Sequence, residues 1–440
     1  MSSPRPRSTV RSTEPRRAPR GVDVYLFPAV VGGGLGDIEE VLAAGRHLAR
    51  AGFPLHLYRE GNRPLPPSVD GPWEWPPILR EDRLRPRSRA ALTVSPSWGV
   101  SAAPSRPERF GRGGPWEEES RRVERAYGPQ RTLHVSLEEF ARTLPSAAET
   151  RERLREGGVA ARSIGARFRI AKSANEVAAF RVAFRSFRGF DRPNVLHLFA
   201  TFRPDPAFSR EFPEAVQTGP LSPGRVPRRA PGRRRSAPRE WVWYASPASA
   251  ERIAPAVRRG LAGVRPAVAL YVRSPRPWPT VPDADGFAVD TSPLPPSVWR
   301  ERFERAELRI VTGSRTLLEA MELGGPFLYF NGVLGRGAGQ RRHRPEKVRA
   351  WLDLARRGGV SPALRRDLAD FARGRRVEGV VRRAALGADG WARFPRSLAP
   401  TGFPRSRARA ETVLVSAARA LARAGASAPQ VVARFRGSNP

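Results

Sequence analysis

The chain of 440 residues contains no cysteine, which excludes disulfides, thiolate metal sites and cysteine nucleophiles. Lysine is almost absent: only Lys172 and Lys347 occur, so 78 basic residues minus these two leaves 76 arginines. No apolar run approaches the ~20 residues that a transmembrane helix needs. Residues 1–20 are rich in Pro, Arg and Ser and lack the apolar core of a secretory signal, so they predict a disordered basic tail.

Acidic residues are few beside the arginines, 42 against 78 basic residues, and the net charge is +36. The arginines are spread along the chain together with abundant Ala, Gly and Pro, which is the profile of a GC-rich coding sequence rather than of a specific nucleic-acid site. Such a surface still attracts phosphates, anionic lipid and nucleic acid without specificity. We expect a cytoplasmic protein that associates peripherally with the anionic inner face of a membrane.

The sequence does contain a regular alternation of apolar runs and amphipathic segments. The run VDVYLFPAVV (22–31) predicts a strand buried on both faces. Residues 37–52 predict an amphipathic helix that stops at Gly52, and residues 53–59 predict the next strand. This βαβ unit predicts a parallel sheet with a right-handed crossover. Further predicted strands lie at 90–97, 131–136 and 194–202.

The alternation is interrupted once, by a basic stretch rich in Pro and Gly, and resumes with the strand WVWYAS. The predicted fold class is therefore α/β, with two Rossmann-like doubly wound domains. Residues 60–88 and 101–130 predict loops with short helices. The predicted organisation is a tail over 1–20, an N-terminal domain over 21–213, a linker over 214–240, a C-terminal domain over 241–405, and a C-terminal helix and tail over 406–440.

The first motif is the glycine loop GGGLGD, which follows the first predicted strand. It contains Gly32, Gly33, Gly34 and Gly36, and Asp37 stands in the first turn of the helix. Unpaired backbone N–H groups and the helix dipole make such a turn an anion or ligand site. The pattern is not G-x-G-x-x-G, because Asp37 replaces the last glycine, so a dinucleotide site is only weakly indicated. The alternative is a tight turn with an acid favoured by the dipole.

The second motif lies in the segment LRIVTGSRTLLEAMELGG (308–325). A predicted strand ends before Gly313, and the helix that follows opens with Ser314, Arg315 and Thr316. Gly313 lets a ligand approach the backbone, while the hydroxyls, the free N–H groups and the arginine suit a diphosphate. Glu319 lies three residues beyond Thr316 on the same face and could accept hydrogen bonds from a ribose diol. The alternative is a helix capped by Ser314 or Thr316 with a solvated glutamate.

This second segment resembles the donor motif of GT-B glycosyltransferases, Gly-x-x-(Ser/Thr)-x-x-Glu-Ala…Gly-x-Pro. Residues 32–52 resemble the opening of the peptidoglycan N-acetylglucosaminyltransferases and their family-28-like relatives. Residues 214–221 (EAVQTGPL) resemble the Gly-Pro strand by which those enzymes enter their C-terminal domain.

The resemblance implies two domains facing each other across a cleft and an inverting transfer from a nucleotide sugar, a UDP-sugar, to an acceptor hydroxyl. The acceptor would be lipid-linked or a small glycan, and no metal or cofactor is implied. Gly313, Ser314 and Thr316 would meet the donor diphosphate, and Glu319 would hold the ribose. Asp37 occupies the position at which relatives place a histidine base, and a carboxylate can also accept the proton of the acceptor.

Two departures from the family accompany this resemblance. The glycine-rich loop after the first strand of the C-terminal domain is replaced by ASPASAE (245–251), and Val311 stands close to where many members carry a histidine. Further contacts with the sugar or phosphate are implied for a group of polar residues: Ser246, Arg273, Asn331, Gln340 and Arg344.

Three other interpretations remain open. His197 could be an alternative base, although a core histidine is the other explanation, and the five histidines lack the spacing of metal ligands. The same architecture serves nucleotide-sugar epimerases, which need further acidic and histidine residues in the cleft. The high charge favours a non-catalytic, polyanion-binding protein with a GT-B-like fold.

Overall fold

The computed structural model contains two separate β-sheets in which every described strand pairing is parallel. The structure describes residues 21–28, 36–57, 79–80, 86, 88–96, 115–138, 189–200, 209–210, 212–219, 221, 239–245, 247–264, 268–273, 288–290, 296–312, 314–323, 325–330, 345–388, 390–391 and 409–436.

Among the described residues, the first sheet has seven strands: β1 (Val22–Leu26), β2 (Leu55–Leu57), β3 (Leu79–Arg80), β4 (Ala90–Pro96), β5 (Thr132–Glu138), β6 (Val195–Ala200) and β7 (Ala215–Thr218). Their order in the sheet is β3-β2-β1-β4-β5-β6-β7. Strands β2 and β3 lie on one side of β1 and β4 lies on the other side, so the strand order reverses between β1 and β4.

One face of the first sheet is apolar and packs against three of the described helices. Helix α1 (Gly36–Arg50) follows β1 and buries Val41, Leu42 and Leu48, as its spacing predicts. The other two helices, α9 (Ala410–Leu421) and α10 (Ala428–Arg436), come from the C-terminal end of the described chain. Alternate residues of the strands face these helices because side chains alternate along a strand.

The C-terminal segment returns to the first sheet instead of ending beside the second. The backbone N–H of Ala428 donates to the carbonyl of Gln130 at 2.8 Å. The guanidinium of Arg436 donates to the carbonyls of Arg192 and Val195, both at 3.1 Å. The sequence predicts one helix and a tail here, and the structure has two helices that complete the core of the first sheet.

In the part of the chain that the structure describes, the second sheet has five strands: β8 (Arg239–Tyr244), β9 (Val268–Arg273), β10 (Ala288–Asp290), β11 (Leu308–Val311) and β12 (Phe327–Tyr329). Their order in the sheet is β10-β9-β8-β11-β12, and it reverses between β8 and β11. Its helices are α3 (Pro247–Leu261), α4 (Pro296–Arg305), α5 (Ser314–Leu323), α6 (Pro345–Arg357), α7 (Pro362–Ala372) and α8 (Val377–Leu386). Two doubly wound parallel sheets confirm the predicted fold class.

Helices α6 to α8 form a group for which the sequence predicts no individual elements. The carboxylate of Asp367 on α7 accepts hydrogen bonds from Arg383 on α8 and from the indole N–H of Trp391, at 3.0 and 3.3 Å to the same oxygen. Helix α8 packs against α3, where Gly260 lies in the contact. These contacts fix the helices that cover the second sheet.

The other face of the first sheet combines a small apolar cluster with buried polar side chains and packs against helix α2 (Pro115–Tyr127), which lies where the sequence predicts loops with short helices. The hydroxyl of Tyr127 donates to Asp23 at 2.5 Å. Glu124 lies 2.5 Å from Nε2 of His134, whose Nδ1 lies 2.7 Å from the hydroxyl of Thr93. The burial of Tyr127 and its hydrogen bond to Asp23 raise the pKa of its phenol.

The charge state of this pair follows from its surroundings. Burial alone would raise the pKa of Glu124, but hydrogen bonds from His134 and Asn194 and the charge of Arg192 lower it to about 2. Burial lowers the pKa of His134. The pair is therefore a carboxylate and a neutral imidazole, in which Nε2–H donates to Glu124 and Nδ1 accepts from Thr93.

We expect Glu124→Gln to lower the free energy of unfolding by about 2 kcal/mol at neutral pH, because it weakens the bonds to buried His134. A carboxylate whose pKa falls from 4.5 to about 2 on folding stabilises the fold above pH 4.5, and this contribution is lost as the pH falls towards 2. Urea unfolding followed by circular dichroism at neutral and acid pH measures both effects.

The matched control is Glu119→Gln on the same helix, because Glu119 is half-buried like Glu124 but pairs with the exposed guanidinium of Arg122 at 3.4 Å instead of with a buried imidazole. Its unfolding midpoint should change little at either pH. Equal effects of the two substitutions would show that the contacts of Glu124 contribute no more than a surface pair.

Candidate functional site

The second motif lies at the carboxyl edge of the second sheet, at the point where the strand order reverses. Strands β8 and β11 are neighbours there, and each is followed by a helix, α3 and α5. The hydroxyl of Thr312 donates to the carbonyl oxygen of Tyr244 at 2.9 Å and so connects the two strand ends. In open α/β sheets, ligands bind in the crevice outside the carboxyl ends of the strands at such a reversal.

Helix α5 begins at Ser314, as predicted, so Ser314, Arg315 and Thr316 form its first turn. Thr316 is buried and Glu319 is half-buried. Because residues three apart on a helix are neighbours, Thr316 and Glu319 lie on one face. The first turn contains no acidic residue, so its backbone N–H groups meet no fixed negative charge of the helix itself.

One arginine close to this motif is already engaged elsewhere. Arg309 on β11 is buried and donates to the carbonyls of Phe303 and Glu304 at 2.6 and 2.8 Å, at the C-terminal end of α4. Burial lowers its pKa to about 10, so it stays protonated at neutral pH. Arg309 therefore binds the end of a helix, and a diphosphate would need other groups.

Helix α1 follows β1, which stands at the corresponding reversal of the first sheet. Helix α1 begins at Gly36, the last of the four glycines and one residue earlier than predicted, and Asp37 stands in its first turn, as predicted. Helix α1 is also in contact with α5. The structure therefore brings together the two helices that begin at the two motifs.

Several predicted site residues lie outside the described residues: Gly32, Gly33, Gly34, Ser246, Gly313, Asn331, Gln340 and Arg344. Arg273 is the last residue of β9 and so stands at the same carboxyl edge as Thr312. The contacts implied for all of them with phosphate or sugar stay predictions.

His197 is a core residue, the second of the two explanations that the sequence allows. It is fully buried in β6, with its ring centroid 4.3 Å from that of Phe190. Among the described residues, His, Asp and Glu do not gather in groups of three or more that could hold a metal ion. In the same part of the chain, no helix has the length and hydropathy of a membrane span.

No protein-family model matches the chain, and no curated protein matches it either. Solved structures do match. The glycotransferase of kitacinnamycin is 12% identical with a TM-score of 0.44, over 84% of this chain and 98% of its own.

Two further solved structures are similarly distant. The glycosyltransferase SnogD from Streptomyces nogalater is 15% identical with a TM-score of 0.41, over 88% of this chain and 98% of its own. A variant of Os79 from O. sativa in complex with UDP is 15% identical with a TM-score of 0.45, over 95% of this chain and 99% of its own. Likenesses at these identities and TM-scores assign no activity to this chain.

Proposed function

We propose that this chain is an inverting glycosyltransferase that moves a sugar from a nucleotide-sugar donor, a UDP-sugar, to an acceptor hydroxyl. The observation that carries the proposal is the position of residues 314–319. Its helix begins at the carboxyl edge of a doubly wound sheet, beside the reversal of strand order, where this class of sheet binds nucleotides.

The donor would bind with its diphosphate at the start of α5. Backbone N–H groups, the hydroxyls of Ser314 and Thr316, and Arg315 supply donors and positive charge there. Glu319 follows one turn later on the face of Thr316, where its carboxylate can accept both hydroxyls of a ribose. The half-buried position of Glu319 strengthens such bonds because water competes less.

The acceptor would bind from the side of the first sheet. Its hydroxyl oxygen attacks the anomeric carbon of the sugar and its proton passes to the carboxylate of Asp37. The bond from the anomeric carbon to the diphosphate oxygen breaks, and the departing negative charge is stabilised at the start of α5. Attack from the face opposite the leaving group inverts the anomeric configuration.

The proposal also covers the acceptor and the location of the protein in the cell. The acceptor is a lipid-linked or small glycan, and the protein works in the cytoplasm with peripheral attachment to anionic membrane through its net charge of +36. Attachment by charge alone is released by salt, because exposed charges are screened beyond ~8 Å at physiological ionic strength. Co-sedimentation with anionic vesicles that persists at high salt would contradict this attachment.

Calorimetry with UDP, GDP and their sugar conjugates at moderate and high salt tests the donor site. We expect one nucleotide to bind selectively, and Glu319→Ala to weaken it by at least about tenfold, since two charge-assisted hydrogen bonds are lost. The matched control is Glu301→Gln on α4, an exposed acid paired with Arg305 at 3.4 Å, and it should bind the nucleotide as the unchanged chain does.

The same calorimetry distinguishes the proposed function from the alternative of a non-catalytic, polyanion-binding protein. That alternative predicts weak binding of every phosphate compound, lost at high salt and equal in Glu319→Ala and the unchanged chain. This result would overturn the proposed function.

A further inference from the structure

The turn between helices α7 and α8 carries three arginines in four residues: Arg373, Arg375 and Arg376. All three are exposed. Arg252 of α3 is exposed as well, and its Nε lies 3.7 Å from the point that a Cβ on Gly374, the remaining residue of the turn, would occupy. These four arginines form one group on the helices of the second sheet, the arginine cluster.

The backbone of this turn is held in place from below. Gly374 has a positive φ of 71° and packs on Phe330, since an added Cβ would lie 3.2 Å from Cε2 of that ring. The backbone N–H of Gly374 donates to the carbonyl of Phe371 at 2.9 Å, and that of Arg375 donates to the carbonyl of Asp370 at 2.7 Å. The arginines are therefore presented by a turn of defined shape.

The acidic residues of α7 and α8 do not neutralise the arginine cluster. Asp367 and Glu378 bind arginines outside it, at 3.0 and 2.7 Å. Asp370 comes only within 4.0 Å of Arg376, an exposed pair that contributes little. In the described part of the chain, the other three arginines of the cluster have no acidic partner. Their charge is available to a partner with negative charge.

Arg376 also has a strained backbone, with φ 47° and ψ 29°. It is the one non-glycine residue with a positive φ among those that the structure describes. Glycine adopts this left-handed region without strain, whereas a residue with a Cβ adopts it at a cost. Strain of this kind is often kept at functional sites. An arginine at this position therefore favours a role for its charge.

We propose that the arginine cluster is the surface by which this protein binds the anionic lipid of a membrane. The inference rests on the peripheral attachment in the proposed function and names the residues that carry it. Guanidinium groups bind phosphate through paired N–H donors, and basic clusters are attracted to anionic bilayers.

Single-stranded nucleic acid is the less favoured partner, because it binds by stacking its bases on exposed aromatic rings. Among the described residues, the exposed large hydrophobic side chains are Val298 and Leu386, and neither is aromatic. A lipid surface needs no such rings, so the composition of the exposed surface agrees better with a bilayer.

Co-sedimentation of the full chain with phosphatidylcholine vesicles that contain about 30 mol% phosphatidylserine tests the inference at moderate salt. We expect Arg373→Gln combined with Arg375→Gln to weaken binding by about 25-fold, because each arginine at an anionic surface contributes about fivefold. The matched control combines Arg419→Gln with Arg423→Gln, two exposed arginines at the end of α9. It removes the same charge far from the bound lipid and should weaken binding by less than about threefold.

Arg376→Gly separates the loss of charge from any loss of folding. Glycine relieves the strained backbone, so the midpoint of thermal unfolding should not fall, while vesicle binding should weaken by about fivefold. Vesicle binding that weakens only together with the unfolding midpoint would overturn the inference.

Equal weakening by the two double substitutions would assign attachment to the net charge of the whole chain and overturn the role of the cluster. Unchanged vesicle binding by Arg373→Gln with Arg375→Gln, together with loss of binding to a polyuridine RNA, would assign the cluster to nucleic acid and overturn it as well. If the unchanged chain binds no anionic vesicles, the proposed attachment falls with the inference, whereas calorimetry with UDP still decides the transferase function.

Discussion

Replacing Asp37 by asparagine is expected to slow sugar transfer by about 10²- to 10⁴-fold, the usual contribution of a general base. Asparagine has nearly the size of aspartate but cannot take the proton of the acceptor hydroxyl. Donor binding should stay unchanged, because the diphosphate and ribose would be held at the start of α5, beside the second sheet. Initial rates of transfer and calorimetry with UDP measure the two quantities separately.

The matched control for Asp37→Asn is Glu39→Gln, which removes the same charge from the first turn of the same helix. Positions two apart do not share a helix face, so Glu39→Gln leaves the proposed base in place. A similar rate loss in both variants would point to helix electrostatics rather than to proton transfer. A rate unchanged by Asp37→Asn would remove Asp37 from the proposed chemistry.

Replacing Gly260 by alanine is expected to lower the free energy of unfolding of the second sheet and its helices by about 3 kcal/mol. In an open helix this substitution would stabilise by about 1 kcal/mol. Here the added Cβ would lie 2.7 Å from the carbonyl oxygen of Glu378 and 2.9 Å from Cβ and Cγ1 of Val381. Val381 is fully buried and branched, so neither neighbour can move without shifting α8.

Gly379→Ala on the facing helix is the matched control. Its added Cβ would meet only Nη1 of Arg383, at 3.3 Å, which is the end of a long side chain. We expect little change or a small gain in the midpoint of thermal unfolding measured by calorimetry. An unchanged midpoint for Gly260→Ala would show that α3 and α8 are not packed as closely as described.

Much of the fold could be predicted because parallel strands buried on both faces form continuous apolar runs. The strand β1 and the helix α1 follow directly from such a run and from the spacing of Val41, Leu42 and Leu48. Strand β3 could not be predicted, since its two residues, Leu79 and Arg80, carry no periodicity. Helix α2 lies in a segment predicted as loops with short helices, and its bounds could not be predicted because it is rich in charge and one residue on its inner side is the charged Glu124.

Part of the candidate site could likewise be predicted from the sequence, and part could not. The starts of α1 and α5 could be predicted because glycine before an amphipathic segment is a local signal. The bond between Thr312 and Tyr244 joins residues 68 positions apart and depends on which strands become neighbours. No local pattern encodes that choice, and Thr312 standing directly before Gly313 is the one signal that could have suggested it.

The return of α9 and α10 to the first sheet determines the order in which the protein can be completed during translation. The second sheet and its helices, from β8 to α8, are contiguous among the described elements, so this part of the chain can fold as soon as it has emerged from the ribosome. The first sheet is synthesised earlier, but its core is completed only when α9 and α10 have been synthesised. Until they are synthesised, its apolar face stays open to chaperones and to aggregation.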